Sequence, residues 1–383
     1  MSLINAYREA AIESKRPLAG LLLEAARLRF GAKRLGFSEY IDFQLHRQDI
    51  GWASKSSFGG QRAQAVLEDI LIDDYSKFLS LDKVTMYALL AGYNLPIPKV
   101  RATYRSLRPS VLRQLQTPAD LAGYLAEPGC LPVYAKRAFG AYGRGNVLVS
   151  GLEGGQVVLG NGSREPLQVF CESLGDVGPL GWILQDPLKA HPEVKALTRS
   201  EKISGVRVHS FLAPGGTHIV KAIFKINVGV KDSDNFEHGN SGNMLGAVDV
   251  QTGRVIRAIT GVGLNQVQNP THPITSARIE GFVVPGWPSV LALVHEAQRA
   301  FPGFLCPGWD IALCADGPII LEVNGFGDID LSQHAYRQGF FDDRLMALLR
   351  ERRLDALMSS PANLSSRSDK NHRLGARKHH WPW

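Results

Sequence analysis

The chain has 383 residues, of which 44% are hydrophobic and 21% charged, enough for two or three layers of core in one large or two medium domains. Its net charge is +7, but residues 361–383 carry five Lys or Arg against one Asp, so +4 belongs to that tail and only +3 to the body. A mildly basic enzyme with a solvated tail is expected, without a nucleic-acid partner. No apolar run reaches membrane-spanning length, so no membrane span is expected.

The N-terminus does not read as a signal peptide, because Leu18-Ala19-Gly20-Leu21-Leu22-Leu23 is cut by Glu24 and followed by Arg27 and Arg29. Cys130, Cys171, Cys306 and Cys314 form no C-x-x-C pair and no zinc-spaced cluster with His. Reduced thiols in a cytoplasmic protein are the expectation.

Residues 1–79 read as a helical extension. Leu21, Leu22, Ala25, Ala26 and Leu28 recur near the helical period, and Ser38 is a candidate cap for a helix through Phe43. Ser80-Leu81-Asp82-Lys83 opens a helix ending near Gly92, broken by Leu95-Pro96-Ile97-Pro98. From Leu131 to about Phe211 strands and glycine turns dominate, and 185–197 reads as a strand end, a Pro-bearing connector and a short helix. Residues 206–230 read as a hairpin about a Pro-Gly-Gly turn, with Arg207, His209 and Phe211 on one face and Val206, Val208 and Ser210 on the other. Lys221, Ile223, Lys225 and Asn227 then alternate with Ala222, Phe224, Ile226 and Val228. Ser289 to Ala300 is an amphipathic helix. Periodicity fades after Arg353, and residues 353–383 are expected to be a disordered basic tail.

The stretch from Gly308 to Gly325 bears the densest chemistry. If Ala315-Asp316-Gly317 is a three-residue loop, Cys314 faces Pro318 and Asp310 falls opposite Glu322. Asp310, Glu322 and Asn324 then share one face, and Ile311, Leu313, Ile319, Leu321 and Val323 form a core face. A two-residue loop would separate Asp310 from Glu322. Two carboxylates and an amide oxygen on one wall suit a hard cation such as Mg2+ shared with phosphate oxygens. The plain alternative is a surface hairpin whose outer face carries acids.

Val133 to Val149 reads as a strand delivering Lys136, a loop containing Gly140, Gly143 and Gly145, and a returning strand. Such glycines let backbone N–H groups wrap phosphate oxygens, with Lys136 as a point charge. No Walker loop occurs in the chain. Lys83 could reach the same phosphates from its helix start. Arg207 and Lys225 each fit an ordinary solvated strand face; facing a metal wall, Arg207 would instead neutralise a transferring phosphate. No nucleophile motif is present.

In their order, these features resemble the ATP-grasp superfamily. The resemblance narrows to the sugar-transfer-associated ATP-grasp group, related to glutamate ligases, and spans roughly residues 35–350. It rests on Ser38-Glu39-Tyr40, Gln185-Asp186-Pro187-Leu188 with His191-Pro192, and Ser233-Asp234-Asn235-Phe236 with Gly239. Ala247 to Gly253, Gly308 to Ala312 and Leu321 to Gly325 complete the set.

The resemblance implies an α+β fold in which two subdomains grip ATP: residues 80–352, with a nucleotide-binding lobe at about 80–200 and a metal lobe at about 201–352. It implies that Lys83 and Lys136 hold phosphates beneath the 140–145 loop, and that Gln185 to Leu188 present backbone groups to adenine. Asp310, Glu322 and Asn324 would hold two Mg2+. Arg207 would face the transferred phosphoryl group, with Lys225 and Asn235 completing the catalytic set. Two positions depart from the pattern. Arg137-Ala138 follows Lys136 where proline is common, and Asp186 replaces the usual Glu, leaving Glu193 or His191 as the alternative ribose contact. The implied activity is an ATP-dependent carboxylate–amine ligase acting through an acyl phosphate on small substrates linked to polysaccharide assembly. A kinase using a hydroxyl acceptor and a non-catalytic binding protein are the rivals. The oligomeric state is not addressed by these residues.

Overall fold

A computed structural model describes residues 1–140, 145–229 and 233–354. Gly143 and the tail beyond Leu354 therefore lie outside the described residues. Among those described, no helix is long and apolar enough to cross a membrane.

Two seven-stranded sheets organise the chain. The first comprises β1 (Val100–Tyr104), β2 (Arg113–Leu115), β3 (Val133–Arg137), β4 (Val147–Glu153), β5 (Gln156–Leu159), β6 (Arg164–Pro166) and β7 (Trp182–Gln185). Their spatial order is β2-β1-β7-β3-β4-β5-β6. Helices Pro118–Ala126 and Leu167–Ser173 cover it, burying Leu121, Tyr124 and Phe170 against Tyr104, Trp182 and Leu184. The first of these helices starts where Thr117 accepts from the Asp120 N–H and Asp120 returns a bond to the Thr117 N–H, with Pro118 at the first helical position.

The second sheet is antiparallel throughout. It comprises β8 (Gly205–Ala213), β9 (Gly216–Ile226), β10 (Met244–Val248), β11 (Val255–Thr260), β12 (Val267–Gln268), β13 (Gly308–Cys314) and β14 (Gly317–Asn324), in the order β12-β11-β10-β9-β8-β13-β14. Helix Trp287–Ala300 packs Val290, Val294 and Ala297 into the core on one side. Helix Ile329–Tyr336 covers β9 to β11 on the other.

Both sheet faces are therefore covered, which corrects the solvated-face reading of the 206–230 hairpin. Arg207, His209, Lys221 and Lys225 are all buried. The turn is two residues, Pro214-Gly215, because Ala213 pairs with Gly216.

The 308–325 hairpin differs from expectation twice, and the differences cancel. Cys314 pairs with Gly317, not Pro318, so the loop has two residues. That shift alone would separate the two acids. A β-bulge between Asp310 and Ile311, which pair with Glu322 and Ile320, leaves Leu321 as the extra residue and restores Asp310 opposite Glu322. The core residues of β14 change accordingly. Ile320 and Val323 are fully buried, whereas Ile319 and Leu321 are only half-buried.

The N-terminal 81 residues contribute six helices among the described residues. Glu24 gathers Arg16, Tyr40 and Lys55 there, at 2.8, 2.7 and 2.6 Å. Ser38 is not the cap of its helix. That helix runs Phe37–Asp42 with Gly36 as cap, and the Glu39 carboxylate accepts from the Gly36 N–H. The extension is bonded into the second sheet's lobe. Gln44 donates to the carbonyls of Gly263 and Gln266, Gln333 exchanges two bonds with the Gly59 backbone, and the Phe341 N–H reaches the Ser57 carbonyl.

Candidate functional site

Asp82 is fully buried and accepts from the Thr85 N–H, fixing the start of helix Lys83–Gly92. The Lys83 N–H donates to the Ala138 carbonyl at 2.9 Å, which ties that helix start to the exit of β3. Lys83 and Lys136 are thereby brought to one place from opposite elements. Lys83 Nζ donates to the Gly140 carbonyl at 2.6 Å and lies 3.4 Å from a Glu322 oxygen.

Lys136 points from β3 to the Tyr87 hydroxyl at 2.7 Å, and that hydroxyl donates to the Leu321 carbonyl at 2.9 Å. Leu321 is the bulge residue, so one tyrosine connects the lysine strand to the irregularity that sets the acidic wall. Burial pulls the Lys136 ammonium down to about 7; Glu322 opposes the shift and Lys83 adds to it. Among the described residues the buried ammonium is hydrogen-bonded to a phenol and not to a carboxylate, which poises it for an anion.

The second cluster stands beside the first. Register sets Arg207 on β8 opposite Asp310 on β13. The guanidinium is bidentate, with Nε and Nη2 at 2.9 and 2.7 Å from the two Asp310 oxygens, and Nη1 reaches Asp328 at 3.1 Å. Lys225 on β9 completes the cluster, 3.5 Å from Asp310 and 3.1 Å from Asp234. Burial alone would raise the Asp310 carboxyl, but Arg207 and Lys225 outweigh it and hold the group well below the usual carboxylate range. Burial likewise works against the Lys225 ammonium and is outweighed by Asp234 and Asp310, so its pKa rises.

The chain bends sharply to deliver Asp328. Phe326, Gly327 and Asp328 have φ of 46°, 43° and 30°. A Cβ on Gly308 would lie 3.0 Å from the Gly327 Cα, so glycine is required at that approach. His209 Nε2 sits 2.6 Å from the Gly327 carbonyl and must carry the proton there, while Nδ1 has no partner among the described residues. Burial pushes this imidazole down to about 4.

Glu322, Asn324 and Asp310 thus share a wall, with Asn324 Nδ2 3.3 Å from Asp310. Among the described residues no group of three or more His, Cys, Asp and Glu side chains is placed to hold a metal. The donor set fits a hard cation completed by phosphate oxygens and water, not an all-protein cage. Asp310 keeps lone pairs beyond those accepting from Arg207.

The remaining expected positions are more dispersed. Gln185 is buried beside Tyr134 on β3, its Oε1 without a partner among the described residues. Asp186 pairs with Arg101 and its N–H donates to the Lys99 carbonyl, so its contacts lie away from both clusters. Leu188 is half-buried on the connector, which the His191 N–H anchors to the Leu313 carbonyl at 2.9 Å. Glu193 is exposed at the start of helix Pro192–Thr198, its N–H bonded to His191 Nδ1. Gly140 and Gly145 have φ of 112° and 79°. Asn235 is half-buried, and Asn243 pins its loop by donating to the Ser233 and Asn235 carbonyls, each at 2.9 Å.

Tyr87 and Asp234 were not singled out from sequence. Tyr87 lies four residues after Lys83 and so on the same helix face, a signal that was available. Asp234 falls within the Ser233 to Phe236 motif, but its pairing to Lys225 is set by tertiary packing.

A family model described as sugar-transfer associated ATP-grasp matches residues 71–347. No curated protein matches the chain. Among solved structures, D-alanyl-alanine synthetase A from Vibrio cholerae aligns at 11% identity and a TM-score of 0.42, covering 73% of this chain and 67% of that one. L-amino acid ligase from Bacillus licheniformis aligns at 13% identity and a TM-score of 0.37, covering 68% of this chain and 43% of that one. N5-carboxyaminoimidazole synthase from Aspergillus clavatus aligns at 14% and 0.39, covering 76% and 58%. The chain thus spans about half the length of the latter two.

Proposed function

The chain belongs to the sugar-transfer-associated ATP-grasp family, and from that premise we propose that it is an ATP-dependent carboxylate–amine ligase serving cell-surface or exopolysaccharide assembly. The observation that supports this reading is the meeting of Lys83 and Lys136 with Glu322, beside the Arg207–Asp310–Lys225 cluster.

In this reading Lys83 and Lys136 bind the nucleotide phosphates, with Gly140, Gly143 and Gly145 in the covering loop and Gln185, Asp186 and Leu188 toward the base. Glu193 is the alternative ribose contact. Glu322 and Asn324, with Asp310, would hold Mg2+, which supplies charge neutralisation at the phosphoryl oxygens. A substrate carboxylate attacks the γ-phosphorus, the bond to the β-phosphate oxygen breaks, and ADP departs. The Arg207 guanidinium and Lys225 ammonium, held by fixed carboxylates, present positive charge to the oxygens of the moving phosphoryl group without reorganising. An amine then attacks the acyl phosphate, releasing phosphate and a proton as the amide forms. Asn235, on the loop pinned by Asn243, borders the acceptor side.

The test is an assay with MgATP and pooled amino acids, amino sugars and sugar acids, run beside Glu322→Ala. ADP, free phosphate and a condensation product lighter by one water, all absent in the variant, support the ligase. A product heavier by one phosphoryl group, without free phosphate, assigns a kinase instead.

A further inference from the structure

A cleft of about 410 Å3 opens between the N-terminal extension and the second sheet's lobe, away from the clusters just described. Asp49 and Ser54 wall one side; Arg257, Gln268, Tyr336 and Arg337 wall the other. Its size falls in the usual range for small-molecule sites, roughly 300–1,000 Å3.

Two guanidiniums face it with incomplete pairing. Arg257, on β11, donates only through Nη1, to the carbonyls of His334 and Ala335 at 2.8 Å each; no other donor of it is matched among the described residues. Arg337 forks onto Asp49 at 2.8 and 2.6 Å, and its Nε is buried without a partner among the described residues. Arg47 approaches the same Asp49 at 4.0 Å. Arg47 also pairs with Glu13 at 3.2 Å, so Asp49, 56% exposed, is chiefly the partner of Arg337 and leaves Arg257 with carbonyl partners alone among the described residues. Glu280 is the nearby acid, and its Oε1 already accepts from Gln268 and the Ala258 N–H. Burial, with Arg337 next, pulls Arg257 down to about 10, while Glu280 opposes the shift. Buried donors of this kind call for an acceptor.

We propose that this cleft binds a small hydroxylated oxyanion, a sugar acid or sugar phosphate, through Arg257 and Arg337. An oxyanion accepts the fork geometry that guanidinium offers, and Ser54 with Gln268 supplies neutral polar groups for hydroxyls. Four of its nine lining residues precede position 71, outside the family match. The inference does not depend on the nucleotide reading, since helix Ile329–Tyr336 separates the cleft from Asp328 by about 12 Å of rise.

The experiment is calorimetric titration of the full chain with D-glucuronate, glucose 6-phosphate and neutral N-acetylglucosamine. One or both oxyanions should bind with Kd below about 1 mM and the neutral sugar should not; which of the two binds identifies the source. Arg257→Met should weaken binding by about tenfold or more, the loss of a charged hydrogen bond. Asp49→Asn should tighten it roughly two- to fivefold by removing the competing carboxylate, a gain that misfolding cannot mimic. Lys136→Met should leave it unchanged. Equal binding of the neutral sugar, no oxyanion binding up to about 10 mM, an unaltered Arg257→Met, or loss of binding in Lys136→Met would each overturn the proposal.

Discussion

On the proposed reading, in which Lys136 holds a nucleotide phosphate, nucleotide binding becomes a protonation event. The Lys136 ammonium is buried on β3 with the Tyr87 hydroxyl at 2.7 Å, and burial brings it to about 7. In the free protein at pH 8 about nine in ten molecules hold it neutral, at pH 7 about half, and at pH 6 about one in ten. A phosphate oxyanion placed against it restores the charged form, so binding at pH 8 should take up close to one proton. Apparent affinity should then weaken about tenfold between pH 6 and 8, or ~1.4 kcal/mol. The assay is calorimetric titration with metal-free ADP at pH 8, in buffers of differing ionisation enthalpy, where the slope of observed enthalpy counts protons. A slope near zero, or the same slope in Lys136→Met, would refute the reasoning.

Four further outcomes are expected. Glu322→Ala should abolish metal-dependent turnover and, by removing the nearest anion, move Lys136 still lower, which the same buffer series detects. Arg207→Met leaves the buried Asp310 with Lys225 as its remaining cation and should cost about 3 kcal/mol in chemical denaturation, the low end of the scale for breaking a buried pair. His209, pushed down to about 4, stays neutral when folded while the unfolded chain protonates near 6.5. The unfolded state binds more protons in that window, so stability falls as pH drops from about 6.5 to 4; His209→Asn should flatten that slope by about 2 kcal/mol at pH 5. Gly181→Ala should destabilise markedly in a thermal melt, because its φ is 61° and a Cβ would sit 2.2 Å from the Tyr104 carbonyl oxygen.

Much of the architecture was legible in the chain. The strand–loop–strand around Lys136, the helix opening at Lys83 and the pairing of Asp310 with Glu322 all follow from local pattern. The hairpin pairing was reached through an incorrect loop, because periodicity counts residues and cannot see a bulge absorbing one of them. The buried residues Ile320 and Val323, three apart in place of two, are the trace the bulge leaves in the packing, and the apolar run from Ile319 to Leu321 conceals it in the sequence. Basic residues on β8 and β9 read as solvated because their cover, helix Ile329–Tyr336, arrives more than a hundred residues later. A similar distance hid Asp328 as a partner of Arg207, while Asp234, nine residues after Lys225, reaches it through a loop that has no period. Contacts closed by tertiary packing leave no period to read.

The bonds that Gln44, Gly59 and Ser57 make across to Gly263, Gln333 and Phe341 bear on how this protein could be trimmed. A version cut to the family-matched stretch beginning at residue 71 would keep every phosphate and metal candidate, yet lose the bonds of Gln333 to the Gly59 backbone and of the Phe341 N–H to Ser57, and open that buried face to water. Each such bond contributes about 0.5–1.5 kcal/mol net, and losing several together with the apolar contacts around them is a sizeable share of the margin by which a domain stays folded. The stretch recognisable by descent is thus shorter than the stretch that must be synthesised together.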